Sequence, residues 1–565
     1  MNKLYYGDNL TVMRGCIDSE SVDLIYLDPP FNSQATYNVL FRSTAGEESR
    51  AQIEAFEDTW HWGDEAELAF DGVMVSANSD AAELLRALRA ILKETDIMAY
   101  LCMMAVRIIE LQRVLKPTGS LYLHCDPAAS HYLKIILDGV FGASSFRSEI
   151  IWRRTNSHNK LNRQYGPIHD TILFYGKTDD AVFHPATRPY TRAYIEDRFT
   201  HTDAHGRYQT NYLTGPGVRK GESGKEWRGF NPTKAGRHWA VPLSLREFLP
   251  NGGKDASSHE QLEALYSQNL IVFPKKSGGQ PMYKQYVGAG VPYQDIWAYQ
   301  PNTSGVLYES KEHIDQDVKY LEDEKEKLGY QTQKPVGLLE RIIRTSSDEG
   351  ATILDPFCGC GTTIHAAQKL KRQWIGIDIT HLAISLIEKR LKDAFPGIQY
   401  EVHGTPTDLD GARDLAARSK HEFQLWAGSR VNAVPFRGGK KGADSGIDGL
   451  IYFKPEGKTT EKAIVTVKGG ENVNVAMVRD LAHVVDRENA KIGVFITLAE
   501  PTGPMKTEAV KAGFYKTLYG KYPKIQILTI RELFDGKQPK IPLVDPAAFK
   551  KAAKEKVGHQ NPLPF

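Results

Sequence analysis

Residues 351–363 read ATILDPFCGCGTT, and their order sets the architecture. A short apolar run ends in Asp355-Pro356, a turn follows with glycine at 359 and 361, and the next stretch, TTIHAAQKLK, has helical spacing of its apolar residues. Strand, tight turn and helix in that order form the repeating unit of a doubly wound α/β sheet, which binds ligands at the carboxyl ends of its strands. Gly359 and Gly361 allow a ligand to approach the backbone closely. The unpaired N–H groups that open the helix at Thr362 suit an anion such as a carboxylate. The next apolar run, QWIGIDI (373–379), closes on Asp378, which can accept hydrogen bonds from both hydroxyls of a ribose. The turn is not the G-x-G-x-x-G of a dinucleotide site, and Asp355 suits an amine or amide better than a pyrophosphate. S-adenosylmethionine (SAM) carries an α-amine, a carboxylate and a ribose, and matches this set of groups.

Far upstream, VDLIYLDPPF (22–31) repeats the pattern of an apolar strand ending in an acid. An exocyclic amine on a nucleic-acid base is a poor nucleophile, because its lone pair is delocalised into the ring. The Asp28 carboxylate and the Pro29 carbonyl can accept its hydrogens and steer the nitrogen toward sp³ character. Pro29 and Pro30 stiffen the turn and remove competing N–H donors. Phe31 offers a flat face for stacking a base. Catalysis would then be positioning plus charge stabilisation, on a base swung out of its duplex. The competing reading of either motif alone is a strand-terminating turn.

Around these motifs, GSLYLHCD (119–126) and the near-continuous apolar runs point to a parallel sheet covered on both faces. Residues 45–71 hold nine Asp/Glu against one Arg and read as a solvated helical insertion. From about 150 to 330 the character changes. Trp152 to Tyr165 carries four Lys/Arg and no acid, and Arg188 to Arg237 carries ten Lys/Arg against five Asp/Glu. Tyr190, Tyr194, Tyr208, Tyr212, Trp227 and Trp239 lie among them. Basic residues mixed with aromatics suit a surface for phosphates and base edges; the competing reading is a loop-rich insertion with its own small core. From about 405 onward, GIDGLIYF, KAIVTVKGG, KIGVFITL and IQILTI describe a separate α/β unit.

The chain has 565 residues, 71 Lys+Arg against 69 Asp+Glu and a net charge of +2, with 41% hydrophobic residues. These values fit a globular protein of three or four units at about 150 residues each, and exclude a disordered or collagen-like chain. No apolar run reaches the ~20 residues of a membrane span, and MNKLYYGDNL does not read as a secretory signal. The five cysteines, at 16, 102, 125, 358 and 360, show no C-x-x-C spacing, which favours a reduced cytoplasm over a structural zinc site.

On these residues the chain resembles the β class of amino-methyltransferases acting on DNA, in which D-P-P-F/Y precedes the target-recognition segment and the cofactor motif follows it. NKLYYGDNLTVM, LKPTGSLYLHCD, IIWRR, HDTILFY, DIW, GYQTQKP and LLERIIRTSS resemble the class in the same order, over about residues 1–400. The resemblance implies a Rossmann-like doubly wound sheet with an inserted recognition region. The domains would be 1–175 (catalytic), 176–325 (target recognition), 326–404 (cofactor binding) and 405–565 (C-terminal). Asp28, Pro29, Pro30 and Phe31 would be the catalytic tetrad; Asp355, Phe357, Gly359, Gly361 and Thr362 would line the methionine part of SAM. Asp378 would hold the ribose, Lys334 and Pro335 would flank the cofactor, and Arg153 and Arg154 would bind DNA. Asp at the first tetrad position favours adenine N6; cytosine N4 enzymes of the class usually carry S-P-P-Y. The implied setting is cytoplasmic, with double-stranded DNA as substrate, a homodimer as the common assembly and a restriction or phage-defence partner.

GADSGIDGLIYF followed by AIVTVKGG resembles an Mrr-like endonuclease of the PD-(D/E)xK fold, in which acids bind Mg²⁺ and activate water. Asp448 and Lys468 match that pattern, which makes Asp448 the candidate Mg²⁺ ligand. Thr466 stands where the family has Glu or Gln, so Asp444 or Glu422 would have to supply the second ligand, and a DNA-binding or regulatory remnant is the preferred reading.

Overall fold

The computed structural model describes residues 2–30, 36–42, 48–57, 61–154, 167–274, 279–288, 290–297, 306–313, 315, 318, 326, 332–436, 446–453, 455, 460–518 and 520–542. Phe31 and Asp444 lie outside them. The chain forms two compact units, one of residues 1–185, 294–298 and 317–561, the other of 186–293, 299–316 and 562–565.

The first unit is built on a nine-stranded sheet. In chain order its strands are β1 (Lys3–Tyr6), β2 (Val22–Leu27), β3 (Leu115–Cys125), β4 (Phe146–Arg153), β5 (His169–Gly176), β6 (Ile296–Trp297), β7 (Thr352–Asp355), β8 (Gln373–Asp378) and β9 (Glu401–His403). Across the sheet they run β6-β4-β5-β3-β2-β7-β8-β1-β9. The six strands from β3 to β9 in that order are parallel, and the two motif strands β2 and β7 are neighbours, with Leu24 opposite Ile353. The predicted α/β architecture is present, but the sheet is mixed: β5 runs antiparallel to both β3 and β4. Trp152 pairs with Asp170 and Arg153 with His169, so the chain leaves β4 and re-enters the sheet at the same end. A strand that returns without a crossover can only run the opposite way. An apolar run carries no sign of its direction, which is why the sequence did not show this.

Alternation along β2 feeds two cores. Leu24 and Tyr26 pack with Ile353, Ile364 and Trp374 on one face. Ile25 and Leu27 pack on the other with the helix Asp96–Val114, whose Leu101, Met104, Ile108 and Leu111 are buried. Each such side chain contributes roughly 1.5–3 kcal/mol on burial, so the strand ends that carry Asp28 and Asp355 are held by a stiff support. The acidic stretch is only partly helical. Thr36–Arg42 and Glu48–Glu57 pair as antiparallel strands, and the helix begins at Asp64. A count of charges carries no period, so it could not separate strand from helix.

The same unit contains a second sheet of five strands, β10 (Val434–Pro435), β11 (Gly449–Phe453), β12 (Glu461–Lys468), β13 (Ile492–Thr497) and β14 (Ile525–Thr529), in that spatial order. β12, β13 and β14 are parallel, joined by the helices Val475–Arg487 and Gly503–Lys511, and each face of the sheet has its own core.

The other unit carries a four-stranded sheet, Ile271–Val272, Met282–Tyr286, Gly206–Tyr212 and His201–Asp203. Part of the basic-aromatic segment turns out to be core rather than surface. Trp227 and Trp239 are buried in an edge-on pair with centroids 6.0 Å apart, packed with Leu213, Leu249 and Leu262. Tyr194 and Tyr212 remain exposed. Composition alone does not distinguish a stacking aromatic from a packing one.

Candidate active site

The parallel pairing of β2 with β7 brings the ends of the two motif strands side by side. Asp28, Pro29 and Pro30 line one pocket together with Asp355, Phe357, Gly359, Thr362, Asp378 and Lys334. The pocket encloses about 1150 Å³ including its open mouth. Gly361 and Pro335 stand behind the wall as the N-caps of the helices Thr362–Lys369 and Val336–Ser346.

Gly361 has φ +75°, and a Cβ there would meet Ile387 Cγ1 at 2.8 Å, so glycine is required for conformation and space alike. The loop closes on itself: the Phe357 N–H donates to Asp355 Oδ1 (3.0 Å), and the Gly359 N–H to Asp378 Oδ2 (2.9 Å). Asp378 Oδ1 accepts from both the N–H (2.9 Å) and the hydroxyl (2.8 Å) of Thr380. Of its two oxygens, Oδ2 takes the fewer of these hydrogen bonds and is the one suited to a ribose hydroxyl.

Burial raises both acids. Asp355 is pushed up to about 7, with the charges of Asp28 and Asp378 adding to desolvation and hydrogen bonds from Thr363 and Phe357 opposing it. Asp378 is pushed up to about 6 by burial, against the donors of Thr380 and Gly359. The donors on Asp378 favour its ionised form, whereas among the described residues no Lys or Arg is paired with Asp355. A ligand ammonium would fill that place, the open helix start at Thr362 suits its carboxylate, and Asp378 suits its ribose; the residues present therefore fit SAM. The flanking thiols of Cys358 and Cys360 are raised by burial and are poor nucleophiles.

The Lys334 ammonium is paired with Asp28 Oδ2, while Asp28 Oδ1 is buried without a hydrogen-bond partner. Lys334, expected only beside the cofactor, thus engages the first residue of the tetrad. An acceptor left open in a pocket wall is what an exocyclic amine needs.

Three supporting residues were not anticipated. Arg107 donates from Nε to Asn9 Oδ1 (2.6 Å), from Nη1 to the Met103 carbonyl (2.9 Å) and from Nη2 to Asp8 Oδ1 (2.7 Å). Asn9 in turn donates to the Pro356 carbonyl at 2.9 Å, tying the N-terminal segment to the glycine loop. A lone arginine within the apolar run YLCMMAVRIIEL was the available signal. Arg390 reaches the Cys360 carbonyl (3.1 Å) and the Thr362 hydroxyl (3.2 Å) from the helix His381–Ala394.

Arg153 ends β4, and Arg154 lies beyond it with Nε 3.3 Å from Asp170 Oδ1. In the five-stranded sheet, Asp448 Oδ2 accepts from the Val467 N–H (2.6 Å), the Thr466 hydroxyl donates to the Gly446 carbonyl (2.8 Å), and Lys468 ends β12. Glu422 is spent elsewhere, accepting the Tyr6 hydroxyl at 2.7 Å. Among the described residues no group of three or more His, Cys, Asp or Glu is arranged to hold a metal. Among them, too, no helix is long and apolar enough to cross a membrane.

A family model described as DNA methylase matches residues 22–389, and one described as restriction endonuclease matches 415–533. The chain is 26% identical over 392 residues to the type II methyltransferase M.EcaI of Enterobacter cloacae, spanning 69% of each protein. It is 27% identical over 383 residues to the Mod subunit of the type III restriction-modification enzyme StyLTI of Salmonella typhimurium, spanning 66% of this chain and 50% of that subunit. The type II methyltransferase M.KpnI of Klebsiella pneumoniae is 22% identical over 389 residues, 65% of this chain and 77% of that one.

Proposed function

The chain belongs to the DNA methylase family, matched over residues 22–389, and from that premise we propose that it methylates adenine N6 in double-stranded DNA as the modification activity of a restriction-modification system. The observation that carries this is the shared pocket of Asp28–Pro30 and the Asp355–Thr362 loop. SAM supplies an electrophilic methyl group on a sulfonium. Asp355 and Thr362 would hold its methionine part and Asp378 its ribose. Asp28, through its unpaired Oδ1, and the Pro29 carbonyl would accept the two amine hydrogens and orient the nitrogen lone pair. Lys334 keeps Asp28 oriented from the other oxygen. Arg153 and Arg154 would carry phosphate contacts. Asp rather than Ser at position 28 favours adenine over cytosine N4, the alternative within the same family.

Labelled SAM and mixed-sequence duplex DNA, followed by nucleoside analysis, test this reading. N6-methyladenine is expected from wild type and none from Asp28→Ala. Label in N4-methylcytosine would overturn the choice of base; equal transfer by Asp28→Ala would overturn the site.

A second activity, Mg²⁺-dependent cleavage by residues 405–565, is favoured by the restriction endonuclease match and by Asp448 and Lys468. Against it stands Thr466, whose hydroxyl is taken by Gly446 where a Glu or Gln ligand would sit. DNA binding without cleavage is the reading we adopt for this part. Cleavage of unmodified duplex that requires Mg²⁺ and is lost in Lys468→Ala would refute it.

A further inference from the structure

Behind the tetrad lies a buried polar chain that neither motif contains. Tyr26 is two residues before Asp28 on β2 and lines the same pocket. Its hydroxyl meets His124 Nδ1 on β3 at 2.8 Å, and His124 Nε2 meets Asp170 Oδ2 on β5 at 3.2 Å. His124 is fully buried and Asp170 nearly so. Asp170 Oδ1 faces the partly exposed Arg154 at 3.3 Å, just beyond the end of β4. With a carboxylate on Nε2, that nitrogen carries the imidazole hydrogen, and Nδ1 accepts from Tyr26. Burying a carboxylate beside an imidazole is costly, and an apolar trio would fill the space more cheaply. The expense suggests work beyond packing.

Building on the adenine-methylation reading above, we propose that Tyr26, His124 and Asp170 form a relay that takes up the proton released in methyl transfer. In that step the N6–C bond forms as the C–S bond breaks, its electron pair going to sulfur. One N6–H bond then breaks, its electron pair staying on nitrogen, and the proton passes to Asp28 Oδ1. Asp28 Oδ1 has no hydrogen-bond partner before transfer, so the protonated carboxyl turns toward the Tyr26 hydroxyl two residues back on β2, which takes the proton while giving its own to His124 Nδ1. The imidazolium so formed lies against the Asp170 carboxylate, and Asp28 is restored as an acceptor. Among the described residues, the charged groups around the relay include Asp28 and Asp355 on the Tyr26 side, and Asp126, Lys334 and Arg154 on the Asp170 side. Burial opposes ionisation of Asp170, but the hydrogen bond and charge of His124 together with the charges of Lys334 and Arg154 hold it below the usual carboxylate range, so it favours a cationic imidazole.

The test is single-turnover methyl transfer against pH by wild type, Tyr26→Phe, Asp170→Asn and the double variant, with SAM and duplex affinities measured alongside. Tyr26→Phe keeps the ring and its packing. We expect it to slow transfer by about 10²-fold, the usual scale for a lost proton-transfer group, to alter the acid limb of the profile and to leave both affinities within about twofold. Members of one relay are not additive, so the double variant should be no slower than the slower single. Wild-type rates and an unchanged pH profile in Tyr26→Phe would overturn the relay while leaving methylation intact; multiplicative losses in the double variant would overturn it as well. A wild type that transfers no methyl group to any duplex overturns the methylation reading and the relay together.

Discussion

Asp355, the more strongly raised of the two pocket acids, makes SAM binding depend on pH. The perturbation is titration from pH 8 to pH 5. Burial, helped by the charges of Asp28 and Asp378, raises Asp355 from 3.8 to about 7, and only the ionised carboxylate can pair with the ligand's ammonium. Binding must therefore expel a proton from the protein. At pH 6, one unit below that value, roughly nine tenths of the sites are protonated, and affinity should be about tenfold weaker than its limit, near 1.4 kcal/mol. At pH 5 the loss should approach a hundredfold. A free α-amine titrates near 7.7–8.0, so affinity should decline again at higher pH, with an optimum between about 7 and 8. The sign for stability follows from the same shift. The folded state holds this proton more tightly than the unfolded chain, so ionisation between about 4 and 7 costs folding free energy as pH rises, at most on the order of 4 kcal/mol. Asp355→Asn should therefore be more stable relative to wild type at pH 7 than at pH 5. Calorimetry in buffers of different ionisation enthalpy would measure the proton release directly: close to one proton from Asp355 at pH 6, with only the smaller release from Asp378 left in Asp355→Asn. A flat affinity profile between pH 5 and 7 would refute the reasoning.

Three other outcomes follow from single contacts. Arg153→Ala with Arg154→Ala should weaken duplex binding and lower the slope of log affinity against log salt by up to about 2, with SAM affinity unchanged; a lost SAM site in that variant would place both arginines in the core. His381 stacks on Tyr6 with centroids 3.7 Å apart, and burial lowers it from 6.5 to about 3. The unfolded chain takes up its proton first, so stability should fall as pH drops from 6.5 toward 3, by up to about 5 kcal/mol; His381→Phe keeps a ring there and should flatten that part of the stability profile against pH. Arg107→Met removes three hydrogen bonds and leaves Asp8 Oδ1 and Asn9 Oδ1 without that donor, which should cost about 3 kcal/mol in chemical denaturation and weaken SAM binding, since Asn9 steadies Pro356 less firmly. Unaltered SAM affinity in that variant would show the Asn9 contact to be incidental to the cofactor loop.

What could be read in the sequence was whatever a local pattern encodes. The strand–turn–helix order of 351–370 and the apolar run before Asp28 each need only neighbouring residues, and both elements are present as read. Strand direction needs more. β5 looks like any buried strand, and only its register against β4 shows that it runs backwards. The burial of Trp227 and Trp239 depended on the leucines that surround them, which no count of aromatics reveals. The site's electrostatics were still less accessible. Lys334 and Asp28 are 306 residues apart, and Tyr26, His124 and Asp170 come from three strands. Each pair meets because β2 pairs with β7 and β3, and β5 lies along β3. The D-P-P-F motif therefore names the acceptors but not their state. That Asp28 has one oxygen paired and one open, and that among the described residues Asp355 has no positive partner, are properties of the assembled sheet. The chemistry depends on them as much as on the motifs, because an acceptor already satisfied could not bind an amine, and a carboxylate already neutralised could not select a cation.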